Sequence, residues 1–172
     1  MTRLSRLYAH VLAIVAGACM ALVFGVIFVN SLRRYVSGQS LPWGDELPVY
    51  VTIYGVMSGV ALACLQDRHI RFAVLLDALS DHARGRLLLA MDAVTCIVGV
   101  ALAWSGLVFV SRRPQVEASG LIGSAQDLAA ATGIEALVWL GRMGTWQFAI
   151  VYGGVALALA AALRLSTRAK EI

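Results

Sequence analysis

Charge is scarce in this chain. Of its 172 residues only 14% are charged, whereas 60% are hydrophobic and the mean hydropathy is +0.80. Soluble domains carry about 25% charged residues, so a water-soluble globule is excluded first. Cysteine is sparse too. Cys19, Cys64 and Cys96 stand far apart and form no C-x-x-C pair, which removes redox dithiols, zinc motifs and the thiol-oxidase class of four-helix membrane enzymes. Burial as small apolar side chains is the default reading for each thiol. Also missing are a Ser/His/Asp set, an H-E-x-x-H pair, a phosphate-binding loop and a cluster of ligating side chains. Pro42 and Pro48 stand at the start of one apolar run rather than at the centre of any. Secondary carriers place substrate and ion sites at broken helices near the midplane, and no interrupted pair of runs is present to build one. The expectation is a chain that is not an enzyme, without cofactor or metal.

Long apolar runs, by contrast, are abundant. Four of them, at about 9–29, 47–65, 87–110 and 146–163, approach or exceed the length of about 20 residues that crosses a bilayer. The fold class expected is an all-α integral membrane protein, a single domain over 1–172 with four transmembrane helices and short interfacial amphipathic helices. The first run is longer than the 7–15 residues of a signal-peptide core and three more runs follow it, so no cleavage is expected. Val15-Ala16-Gly17-Ala18-Cys19 resembles a lipoprotein cleavage site only faintly, because the apolar stretch continues past Cys19.

A net charge of +4 would point to acidic partners in a soluble protein. Here the basic residues flank membrane runs, where they set topology, and no nucleic-acid partner is expected. Nine of the fourteen lie in the two tails and the second loop: Arg3, Arg6, Arg68, Arg71, Arg84, Arg86, Arg164, Arg168 and Lys170. Five lie in the first and third loops: Arg33, Arg34, Arg112, Arg113 and Arg142. The excess places both termini and the second loop in the cytoplasm.

Small residues recur every four positions at Gly17, Ala21 and Gly25, at Gly55 and Gly59, and at Gly154, Ala158 and Ala162. That spacing lets helix backbones approach closely in lipid and favours a compact bundle or one docked on another membrane protein. In the first loop Ser40 is the expected N-cap of the second span, with Asp45 and Glu46 near its positive end. We expect Arg34 to pair with one of these acids. Tyr35, Trp43 and Trp146 suit the membrane interface. In the second loop Phe72, Leu75, Leu76 and Leu79 recur at helical spacing, as in an interfacial helix with its apolar face in lipid. In the third loop Ser124 and Asp127 match a capping box, and one or two short surface helices follow, broken at Gly133. This loop is a candidate partner surface. Asp92 is the one acid well inside a span. It marks an ion path or pairs structurally with Arg6, Arg68 or His69, and the structural pairing is preferred. His10, His69 and Asp92 together would be the residues of an alternative reading, a small membrane electron carrier or enzyme.

Asn30-x-x-x-Arg34-Tyr35, followed by Ser40-Leu41-Pro42-Trp43-Gly44-Asp45-Glu46-Leu47, resembles the signature of a known family. So does Gly59-x-Ala61-Leu62-Ala63 with Arg68-His69-Ile70-Arg71 downstream. The family is the small membrane subunit of tripartite ATP-independent periplasmic (TRAP) transporters. The likeness is good over about 30–89. Asp45 stands where the family has the first glutamate of a pair, and Leu65 and Ala73 stand where arginine and aspartate are common. The resemblance implies a subunit of the bacterial inner membrane without catalytic or substrate-binding residues. Its partners would be lipid, a large membrane permease subunit and a periplasmic substrate-binding protein, in ion-driven uptake of an organic acid. Arg34, Tyr35, Trp43, Asp45, Glu46, Gly55, Gly59, His69 and Asp92 would then serve structure and subunit contacts.

The charge count yields a direct test. Reporter fusions at the C-terminus should read out as cytoplasmic, and insertions within 116–130 as periplasmic. Periplasmic activity at the C-terminus would reverse the assignment.

Overall fold

The computed structural model describes residues 3–66, 79–112 and 115–169. His69, Arg68 and most of the stretch expected as an interfacial helix at 72–79 lie outside the described residues. Each apolar run falls within one long helix: α1 (Arg3–Ser37), α2 (Glu46–Leu65), α3 (Asp81–Arg112) and α5 (Met143–Arg168). All four are long and apolar enough to cross a membrane. The 35 residues of α1 rise roughly 50 Å, well beyond a hydrocarbon core of about 30 Å. Between α3 and α5 lie α4 (Ile122–Thr132) and a 3₁₀ segment, Glu135–Gly141. These are the short helices expected in the third loop.

Local chemistry explains where the helices stop. Gly38 takes φ +68° and its N–H donates to the Arg34 carbonyl at 3.1 Å, a left-handed C-terminal stop that costs glycine no Cβ clash. Gly133 ends α4 in the same way, at φ +71° with its N–H on Ala129 O at 2.8 Å. Two expected caps are not made. The second span starts at Glu46, not near Ser40, because the chain first folds through a turn in which Gly44 N–H bonds Leu41 O. Ser124 lies inside α4 rather than at its head. The N–H groups of Leu121 and Ile122 both donate to Ala118 O, so the helix is entered directly from that turn.

The transmembrane helices do not form a closed bundle. Among the described residues α1 packs on α2, α2 on α5 and α5 on α3, and no comparable packing joins α1 to α3. The order is a row, α1–α2–α5–α3, with α2 and α5 inside. Within their most apolar stretches 33% of α2 and 44% of α5 residues are buried, against 11% of α1 and of α3. Antiparallel packing puts the start of α1, the end of α2, the start of α3 and the end of α5 at one end, the termini end. The first and third loops share the other, the loop end.

Lipid tails are as apolar as leucine, so helices in a membrane are held by close packing and polar contacts. The α3–α5 seam relies on glycine. A Cβ on Gly99 would stand 2.6 Å from Ala158 N, one on Gly106 would stand 2.9 Å from Val151 Cγ2, and one on Gly154 would strike the backbone of Ala103. Toward the termini end Leu12 of α1, Ala61, Cys64 and Leu65 of α2, and Ala156, Ala160 and Ala161 of α5 form the core. Tyr8 adds a hydrogen bond from its hydroxyl to Ala156 O, 3.0 Å. Mid-span, Ser58 is fully buried and donates to Tyr54 O at 2.8 Å. Its single proton is thereby used, so the Tyr152 hydroxyl, also at 2.8 Å, donates to Ser58 Oγ.

Of the small residues singled out from sequence, Gly55 is used, with Cys19 Cβ 3.0 Å from where its own Cβ would be. Gly17, Gly25 and Gly59 meet nothing within 4 Å. Gly99→Leu should therefore lower the stability of the chain in micelles by at least about 2–3 kcal/mol, the upper range for overpacking a seam. Gly17→Leu should be close to neutral. Equal denaturation midpoints for the two variants would contradict the seam.

Candidate functional site

Two polar clusters tie the row together, one at each end. At the loop end the anchor is Asn30, buried near the end of α1. Its side-chain oxygen accepts from Leu41 N–H at 2.7 Å, and its amide donates to Asp45 Oδ1 at 3.1 Å. Gly44 is pressed against this amide, since a Cβ there would strike Asn30 Cγ. Glu46 reaches instead into the third loop. It accepts from Ser119 Oγ at 2.9 Å and from Gly120 N–H at 3.2 Å. A Cβ on Gly120 would come within 2.6 Å of Pro42 O, so the two loops touch backbone to backbone. The third loop is itself closed by Ala118 N–H on Gly141 O and Met143 N–H on Val116 O, both short at 2.9 and 2.8 Å.

The expected pairing of Arg34 with Asp45 or Glu46 is not made among the described residues. Helix α1 runs on through Arg33 and Arg34 to Ser37, which carries the guanidinium out onto an exposed surface. Asn30, one turn earlier and facing inward, takes Asp45, and the third loop takes Glu46. Tyr35 is 91% exposed, and Trp43 is half-buried. The structure places the indole N–H of Trp146 on Leu140 O at 2.9 Å, with its ring stacked on Tyr50 at 5.5 Å.

At the termini end Asp92 is buried on α3. Its partners are Arg168, at 2.9 Å, and Arg164, at 3.8 Å. Both come from the end of α5; Arg6, of the basic residues expected there, makes no such pair, and Arg68 and His69 lie outside the described residues. Arg164 also donates to Cys64 O at 2.7 Å. That carbonyl belongs to the last turn of α2, where a cation is favourable. One acid and two arginines thus join α2, α3 and α5. The i,i+4 spacing of Arg164 and Arg168, one helical face, was the available sequence signal. Read only as topology markers, these arginines hid a structural role. His10 lies exposed on α1, away from this cluster. Among the described residues no three His, Cys, Asp or Glu side chains gather where they could share a metal ion.

Comparison with known proteins places this architecture. The family described as "Tripartite ATP-independent periplasmic transporters, DctQ component" matches residues 23–171, which include both polar clusters. The chain belongs to that family. A relative from Haemophilus influenzae, named "Putative TRAP transporter small permease protein", is 23% identical over 125 residues, 72% of each chain. Members of the DctQ family are transporter components, not enzymes, and the electron-carrier reading built on His10, His69 and Asp92 is set aside on that ground.

The two clusters make different demands. Asp92→Asn removes the buried carboxylate that pairs with Arg164 and Arg168, and breaking a buried pair costs about 3–5 kcal/mol. Glu46→Ala removes two hydrogen bonds to a charged group and should cost about 2–3 kcal/mol. Arg34→Ala, at an exposed site, should change stability by less than about 0.5 kcal/mol. Unfolding of each variant in micelles checks the order, and a destabilising Arg34→Ala would show that the loop is held differently.

Proposed function

We propose that this chain is the stationary small subunit of a TRAP-type secondary transporter. It docks a large membrane permease subunit that carries the substrate and ion sites, and steadies it during ion-driven uptake of an organic acid delivered by a periplasmic binding protein. In this reading the chain lies in the bacterial inner membrane with both termini cytoplasmic, and the loop end faces the periplasm.

The observation that supports this reading most is the open row of helices. A self-contained carrier encloses its site between helices, whereas here α1 and α3 leave broad apolar faces uncovered at the two edges. The intramembrane acid, Asp92, is already paired with arginines of the same chain. A wall of this kind, fixed in depth by aromatic residues at the span ends, suits a part that stays still while another slides.

Reconstitution tests the reading. The chain alone in liposomes should show no uptake of a labelled organic acid. Adding the large subunit and the binding protein should give uptake under a sodium or proton gradient. Complexes that assemble with Asp92→Asn should keep the ion-to-substrate ratio. Uptake by the isolated chain, or a changed ratio in the assembled variant, would overturn it.

A further inference from the structure

Between the outer ends of α3 and α5, at the loop end, the structure has a cavity of about 340 Å³ lined by Tyr54, Val110, Trp139, Gly144, Phe148 and Arg142. It falls within the size range of small-molecule sites, roughly 300–1,000 Å³. Apart from Arg142 and Thr145 the walls are apolar or aromatic, and Phe148 and Trp139 remain exposed, so the cavity is open at the protein surface. Among the described residues that line it the one cation is Arg142, whose guanidinium lies over the Trp139 ring at 5.6 Å.

Arg142 has no carboxylate in ion-pair range among the described residues. Glu117 meets it only through a backbone bridge. Glu135 lines the adjoining cavity with it, but no ion pair forms. Arg142 stands immediately before the first residue of a membrane-spanning helix, the level at which lipid headgroups lie. An apolar slot with an unneutralised arginine at that depth is complementary to one molecule the membrane always supplies.

We propose that this cavity is a phospholipid site: an acyl chain lies between Val110 and Phe148, and the phosphodiester is held by Arg142, whose planar fork suits phosphate oxygens. Gly144 keeps the slot open. A Cβ there would meet only Val110 Cγ1, at 3.9 Å, so a larger side chain would fill the space without striking backbone. The inference goes beyond a scaffold role, since it assigns a ligand, and it does not depend on that role.

The test uses the full chain, alone and in complex with the large subunit, in phosphatidylcholine vesicles. The vesicles contain a phosphatidylcholine bearing a diazirine on its acyl chain, and labelled peptides are located by mass spectrometry. Labelling should concentrate on the peptides holding Val110 and Phe148. Arg142→Gln should reduce it about tenfold, the effect of losing a charge-assisted hydrogen bond, while Arg112→Gln leaves it unchanged. Gly144→Leu should abolish it. A diazirine-bearing fatty alcohol, which lacks phosphate, should label the wild type and Arg142→Gln alike. Labelling spread evenly around the helices, indifference to Arg142→Gln, or an equal loss of the alcohol's label in that variant would each overturn the site. Loss of label on assembly with the large subunit would show a protein contact there and would overturn it too.

Discussion

The close approach of α3 and α5 is the constraint on which the rest of the structure depends. In water, apolar faces alone would hold these helices together. In lipid that force is absent between them, and what remains is dispersion at short range and the satisfaction of polar groups. Gly99, Gly106 and Gly154 allow the two backbones to come within range of each other. The approach brings the last turns of α5 alongside the start of α3, where Arg164 and Arg168 meet Asp92. Without the seam the ion cluster would have no geometry. Without the cluster the buried acid would stand alone in a medium that penalises it.

The same physics accounts for a row rather than a closed bundle. A helix apolar on every side is as well solvated by lipid as by protein, so nothing compels α1 and α3 to meet. Helix α3 attaches through its glycine seam with α5, and α1 through Leu12 in the core, Cys19 against Gly55, Tyr8 on Ala156 O, and Asn30 on the first loop. The faces left over are large, and what covers them is lipid or another membrane chain.

Much of this was legible in the sequence, and the limits have physical causes. The spans were legible because twenty apolar residues in a row admit little else. The short helices of the third loop were legible from Gly133, a residue that takes the left-handed conformation of a helix C-terminal stop at no Cβ cost. Asp92 was legible as a buried acid, but its partners were not. Sequence position suggested basic residues near the same membrane edge, and helix pairing decides among them. Pairing in lipid leaves no amphipathic stripe to read: the four-residue spacing of Gly154 and Ala158 marks the close-packing face of α5 but does not say that α3, rather than α1, packs on it. Arg34 is the expected partner because a charge near two acids invites a salt bridge, and an uncharged Asn30 gives no such signal. Helix α1 continues past it as far as Gly38, and one additional turn carries that charge away from the fold. The small residues at Gly17, Gly25 and Gly59 show the converse limit. Their spacing matches a packing motif, yet no neighbour among the described residues uses it.

The two polar clusters divide the work of holding the row. Glu46 and Asn30 fasten α1 and α2 to the third loop, and through that loop to the start of α5. Asp92, Arg164 and Cys64 fasten α2 and α3 to its end. Helix α5 is therefore restrained at both ends, with the Ser58–Tyr152 contact between them, and bending it would break polar contacts in a medium that offers no water to replace them. Helix α1 is tied by its asparagine at one end and by Tyr8 at the other, with few buried residues between. Stiffness in this fold thus declines from the α2–α5 centre toward the edges, and an edge helix gains most from whatever packs against it.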